Sequence, residues 1–154
     1  MNPKILIVDD HEIVREGIRT LLGRARPDWN ICGEASNGME AMVKAKSLEP
    51  DIVILDITMP GMSGLEAALR INRLGLRSKI LIFTMHESEQ LATEVRDAGA
   101  RGYVLKSQAA RDLVQAIERI LAGGTFSIAP PEPEGESGGT PKRGLILRAI
   151  AQPI

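Results

Sequence analysis

The sequence predicts an α/β fold in which one five-stranded parallel sheet is doubly wound, with helices on both faces. Two observations predict it. Short aliphatic runs alternate in strict order with stretches of helical periodicity, five of each. The runs are continuously apolar, as strands buried on both faces must be. Strict alternation in turn calls for parallel neighbours joined by right-handed crossovers.

Taken in order, residues 5–8 read as a buried strand, and residues 11–24 as a helix in which Ile13, Ile18, Leu21 and Leu22 recur near helical spacing. Residues 30–35 form a weaker strand. Residues 38–48 form a helix expected to turn Met39, Met42 and Val43 inward. The turn pair Pro50-Asp51 precedes a strand at 52–55, and a helix follows at 64–74. A strand at 79–83 leads to a helix at 88–98, stopped at Gly99. A strand at 102–105 leads to a last helix at 109–121, stopped at Gly123-Gly124. The expected architecture is flavodoxin-like, with strand order 2-1-3-4-5.

After Gly124 the composition changes. Pro130-Pro131-Glu132-Pro133-Glu134-Gly135-Glu136-Ser137-Gly138-Gly139 cannot bury enough apolar area to offset its ordering entropy. Residues 1–124 are therefore expected to be the folded domain and 125–140 a Pro/Gly-rich linker, followed by a remnant at 141–154 whose residues 141–151 are amphipathic.

The chain of 154 residues is long enough for one domain with a sizeable core. A net charge of −1 supplies no global basic field for nucleic acid. The early apolar run Ile5-Leu6-Ile7-Val8 is far too short for a signal peptide or membrane span. The single cysteine, Cys32, has no internal partner and reads as a small buried hydrophobe. The expectation is a cytoplasmic protein with no membrane contact.

In a doubly wound sheet the loops after the strand C-termini gather at one edge. Strand one runs into Asp9-Asp10, strand three into Asp56, strand four into Thr84 and strand five into Lys106. Taken singly, each has an ordinary use as a helix cap, turn residue or solvated side chain. Four strand ends delivering such residues to one edge is another matter. Three carboxylates in one crevice stay ionised only beside positive charge. A hard divalent cation with oxygen ligands, Mg²⁺ or Mn²⁺, is the natural partner, and Lys106 supplies a mobile ammonium. Such a site suits an incoming phosphoryl group, with a carboxylate as nucleophile. Asp9 and Asp10 are adjacent, so they read as metal ligands. Asp56 stands alone on the central strand and reads as the nucleophile, with an oxygen that can also touch the metal.

Asp9-Asp10, the D-x-x-M-P-G-x-x-G stretch from Asp56 to Gly64, Thr84 and Gly102-Tyr103-Val104-Leu105-Lys106 together resemble the response-regulator receiver domain of two-component systems, over about residues 3–124. The resemblance implies that Asp56 is the phosphoacceptor, that Asp10, Asp56 and the Thr58 carbonyl ligate Mg²⁺ directly, and that Asp9 does so more often through water. It implies that Thr84 and Lys106 bind phosphoryl oxygens and that Tyr103 is a switch aromatic. Asp9-Asp10-His11-Glu12, Gly33-Glu34-Ala35 and Gly123-Gly124 resemble the NarL/FixJ-type subgroup. The tail, residues 141–154, then resembles the first helix of a LuxR-type helix-turn-helix effector, without the recognition helix that would read DNA. Two departures stand out. Ser107 follows Lys106 where many receivers carry Pro, which makes a cis bond there less favoured. Met85 stands after Thr84 where a small residue is common and is expected to narrow the approach to Asp56; His86 reads as a solvated loop histidine, with a role in tuning access or phosphate lifetime as the alternative.

The expected function is a signalling domain, not an enzyme, that assists its own phosphorylation and dephosphorylation. Its expected partners are a sensor histidine kinase and, through helix-five residues such as Arg111, Val114 and Glu118, a second copy in a homodimer; DNA would be reached only through a full-length effector. A stand-alone receiver acting through protein contacts is the competing reading. Enzymes of the same fold fit poorly. A haloacid-dehalogenase-like phosphatase needs carboxylates two apart after strand one, and a flavodoxin needs a hydroxyl-rich phosphate loop there.

Overall fold

The computed structural model describes residues 2–129. Within it the chain runs β1 (Lys4–Val8), α1 (Glu12–Ala25), β2 (Asn30–Ala35), α2 (Gly38–Leu48), β3 (Ile52–Asp56), α3 (Gly64–Arg73), β4 (Lys79–Thr84), α4 (Leu91–Asp97), β5 (Gly102–Leu105) and α5 (Ala109–Leu121), with a 3₁₀ turn at Lys106–Gln108 before α5. All strand pairs are parallel and the order is β2-β1-β3-β4-β5, as the alternation predicts. Among the described residues no helix is long and apolar enough to cross a membrane.

Side chains alternate across each strand, so the continuous runs feed two cores. Ile5, Ile7, Ile52, Ile54, Leu81 and Phe83 face α1 and α5, meeting Ile18, Leu22, Leu113 and Ile117. Leu6, Val8, Val53, Leu55, Ile80 and Ile82 face α2, α3 and α4, meeting Ala41, Ala45, Ala67, Ile71 and Val95. The second cluster is rich in alanine, with Ala41, Ala45, Ala67 and Ala68 all fully buried on α2 and α3.

Three expectations need correction. Met39 and Val43 do not turn inward; they are 59% and 63% exposed, and only Met42 of the three packs against the core. Ala41 and Ala45, four apart on the opposite face of α2, fill the inner stripe instead. Ile13, counted in the helical pattern of α1, is 80% exposed. The helix expected at 88–98 begins only at Leu91, because Glu87 to Gln90 form the loop that leaves β4.

The expected linker also starts later than residue 125. Phe126 is buried, its backbone bridges Gly102, and Tyr103 N–H donates to the Phe126 carbonyl at 3.2 Å. A Cβ on Gly102 would sit 2.3 Å from that carbonyl oxygen, so only glycine admits this strap along β5. The expected linker from 130 onward and the whole piece at 141–154 lie outside the described residues.

Candidate functional site

The C-terminal ends of β1, β3, β4 and β5 carry Asp9-Asp10, Asp56, Thr84 and Lys106 to one edge. Local structure fixes each of them. Asp9 N–H still pairs with the Ala35 carbonyl at 3.1 Å, which holds Asp9 at the sheet edge beside β2. Asp56 is the last residue of β3 and pairs in register with Phe83 of β4. Thr84 closes β4 opposite Leu105. Beyond Asp56, Met59 is buried in the core and anchors the loop, and Ser63 caps α3 by accepting from Glu66 N–H at 3.2 Å. Gly64 opens α3 with its N–H on the Ile57 carbonyl at 2.7 Å, and a Cβ there would lie 1.9 Å from the Asp56 carbonyl oxygen. The glycine is what lets α3 start hard against the strand that presents Asp56.

Lys106 ties the cluster together. Its Nζ donates to Asp9 Oδ2 at 2.7 Å and stands 3.5 Å from Asp56 Oδ1. Asp9 and Asp56 are almost entirely buried, and the Lys106 side chain is mostly so. Thr58 N–H donates to Asp56 Oδ1 at 3.3 Å, while the rest of Thr58 is exposed. Burial pushes the Asp56 carboxyl above its usual pKa; the Asp9 charge adds to this, and Lys106 with the Thr58 N–H offsets only part. Thr84 is buried at the same edge, and Met85 and His86 project outward from the start of the β4–α4 loop. Tyr103 is nearly buried, and its hydroxyl donates to Glu87 Oε2 at 2.8 Å. Burial, reinforced by Glu87, raises the phenol's pKa.

Among the described residues, the group of side chains whose ligand atoms lie within 4.8 Å of one another is Asp9, Asp10 and His11; Asp56 joins them through Lys106. Asp10 Oδ1 is buried and accepts no hydrogen bond. An orphan carboxylate oxygen beside a second carboxylate fits a hard cation, since leaving it unpaired costs desolvation energy with no return.

Two contributors lie outside the predicted set. Arg15 donates to the Asp9 carbonyl at 2.6 Å and to Glu34 Oε1 at 2.8 Å, and Arg19 also pairs with Glu34. Burial raises the Glu34 pKa, but the two arginines outweigh it and hold the carboxyl below its usual value. This network braces the backbone that carries the acidic pair. The available signal was Glu34, a charge inside the otherwise mostly apolar β2. The second contributor is His11, whose Nδ1 lies 3.3 Å from Asp9 Oδ1 and 3.2 Å from Asp10 Oδ1. A histidine directly after two aspartates was the signal there.

Comparison with known proteins places this geometry. The model of the response regulator receiver domain family matches residues 5–118. The nitrate/nitrite response regulator protein NarL of Escherichia coli K12 is 39% identical over 119 residues, 77% of this chain and 55% of its own length. The transcriptional regulatory protein LnrK of Bacillus subtilis is 41% identical over 129 residues, 84% of this chain and 57% of its own. The chain thus spans little more than half the length of these relatives. Among solved structures, a LuxR-family two-component response regulator from Aurantimonas superposes with a TM-score of 0.77 at 45% identity, covering 82% of this chain and 89% of that one. The isolated receiver domain of RcsB from Salmonella enterica, determined with the phosphomimetic beryllofluoride, gives 0.74 at 29% identity, with coverage of 82% and 93%.

Proposed function

The chain belongs to the response regulator receiver family, and on that premise we propose that it takes a phosphoryl group onto Asp56 from a sensor histidine kinase and passes the change to an output domain. The observation that carries the reading is the Asp9–Lys106–Asp56 cluster. A carboxylate nucleophile is buried at a strand end with an ammonium group 3.5 Å away and a backbone N–H on the same oxygen.

The transfer is a displacement at phosphorus. An Asp56 oxygen forms the new P–O bond while the bond from phosphorus to the donor's imidazole nitrogen breaks, and the imidazole leaves. Lys106, which contacts Asp9 and Asp56, is proposed to donate to a phosphoryl oxygen, as is the Thr84 hydroxyl at the same edge. Asp10, Asp56 and the Thr58 carbonyl, with Asp9 through water, are the residues proposed to hold Mg²⁺ or Mn²⁺. When bound, that ion neutralises phosphoryl oxygen charge. Met85 and His86 are proposed to tune access from the exposed side.

Output is proposed to travel through Thr84 and Tyr103 to the face formed by α4, β5 and α5. Tyr103 is already packed inward and held by Glu87, so the step it would take is release or retention of that hydrogen bond. Kinase, a second copy of the chain and a LuxR-type DNA-binding effector are the proposed partners.

The test is incubation with a small acyl-phosphate donor, with and without Mg²⁺, followed by peptide mapping. Modification is expected on Asp56, dependent on metal and lost in Asp56→Asn. Equal yield without metal, or undiminished modification of the variant, would overturn the reading.

A further inference from the structure

We propose that the His11 imidazole is a nitrogen ligand of the cation site, and that it biases the site toward first-row ions that accept nitrogen, such as Ni²⁺, Co²⁺ and Zn²⁺. The inference rests on the cation site proposed above and extends it by a residue and a selectivity.

Three observations carry it. His11 Nδ1 stands 3.3 Å from Asp9 Oδ1 and 3.2 Å from Asp10 Oδ1, so one ring nitrogen faces two carboxylates at once. Ligand atoms about 2.1 Å from an octahedral ion are separated by about 3 Å in cis positions, and the 3.2 Å from Nδ1 to Asp10 Oδ1 is close to that. Asp10 Oδ1 is buried without a hydrogen bond, although Nδ1 is nearby, so the nitrogen does not satisfy it. An ion between the two would. Finally, the ring is not committed elsewhere. His11 is the N-cap residue of α1 but makes no side-chain cap bond; its backbone N–H donates to Asp9 Oδ1 at 2.9 Å, and its ring's hydrogen-bond contact, Nδ1 with Asp9 Oδ1 at 3.3 Å, also lies within the cluster. About two-thirds of the side chain is exposed, so the ring reaches solvent on its outer side while Nδ1 faces the two carboxylates.

Adding the His11 imidazole to the oxygens of Asp10, Asp56 and Thr58 makes a donor set that differs in kind from an all-oxygen site. Carboxylate oxygens serve Mg²⁺ well, whereas imidazole adds little for Mg²⁺ and much for Ni²⁺ or Zn²⁺. Raw affinity for Ni²⁺ exceeds that for Mg²⁺ at almost any site. The diagnostic quantity is therefore how each ion's affinity responds to loss of the ring.

The experiment is calorimetric titration of the full chain with Ni²⁺ and, separately, Mg²⁺, for the parent, His11→Ala, His11→Gln, His86→Gln and Asp10→Asn. Removing the His11 ring takes away no helix cap, so the variants are expected to fold. Both His11 variants are expected to lose at least about tenfold in Ni²⁺ affinity, about 1.4 kcal/mol, with Mg²⁺ affinity changed less than about twofold. Asp10→Asn is expected to weaken both ions, and His86→Gln neither. The chain has two histidines, so ¹⁵N imidazole spectra give a second readout: Zn²⁺ should shift the His11 Nδ1 signal and leave His86 unmoved. Unchanged Ni²⁺ affinity in both His11 variants overturns the proposal, as does Ni²⁺ binding that survives Asp10→Asn or depends on His86. A parent that binds neither ion overturns the cation site itself, and that result is distinct from loss of the His11 effect alone.

Discussion

At Asp56, burial and charge pull against each other. The carboxyl is out of water and close to Asp9, and both effects raise its pKa; Lys106 and the Thr58 N–H draw it down by less. A carboxyl whose folded pKa is raised holds its proton more tightly in the folded chain than in the unfolded one. Stability therefore falls as pH rises through the window between the ordinary value and the raised one, and above that window the ionised Asp56 costs stability in full. In buffer with a chelator, Asp56→Asn is expected to melt about 2–4 °C above the parent at neutral pH. The gap should close as pH approaches the ordinary carboxylate value of 3.8. Thermal melts at several pH values check this, and a variant no more stable than the parent at neutral pH would contradict it. Asp56 itself was legible in the sequence, as the lone acid ending the central strand. The partner that Lys106 holds most closely was not, because Lys106 and Asp9 lie 97 residues apart and both Asp9 and Asp56 were available to it.

At the scale of elements, α2 shows how side-chain size overrides hydropathy. Its large apolar residues Met39 and Val43 face solvent, and its alanines face the sheet. Ala45 is fully buried in the core cluster, so Ala45→Leu would force a larger side chain into filled space. It is expected to cost about 1–3 kcal/mol. Val43→Gln, on the exposed face, should stay within about 0.5 kcal/mol of the parent. Urea unfolding of the two variants separates these outcomes; the reverse ranking would restore the inward reading of Val43. Periodicity located the helix at its observed bounds, 38–48, because spacing is a local property. The inward face was missed because it depends on how closely α2 approaches the sheet and α3, which no local pattern states.

For the whole molecule, the packed body closes with the strap after α5. Phe126 lies against the α1 and α5 side of the core, with the Arg119 guanidinium 5.3 Å from its ring centre, and the strap's backbone bonds to both Arg101 and Tyr103 of the β5 region. Phe126→Ala is expected to lower stability by about 3 kcal/mol. Ending the chain after residue 124 should cost at least as much, whereas ending it after 129 should preserve the described core. Denaturation midpoints of the three chains are the check, and an unaffected 1–124 chain would return the domain boundary to Gly124.

Taken alone, the sequence determined the strand and helix order, the strand order of the sheet, and the convergence of Asp9, Asp10, Asp56, Thr84 and Lys106 on one edge. These follow from side-chain periodicity and from the rule that parallel crossovers bring strand C-termini together. Tertiary structure decided the rest: that Lys106 bridges Asp9 and Asp56, that Arg15 and Glu34 brace the acidic pair, that His11 turns toward it, and that Phe126 folds back onto β5. Each of these depends on distances between side chains from different elements. Such distances are set by packing density and burial, which a one-dimensional pattern does not contain.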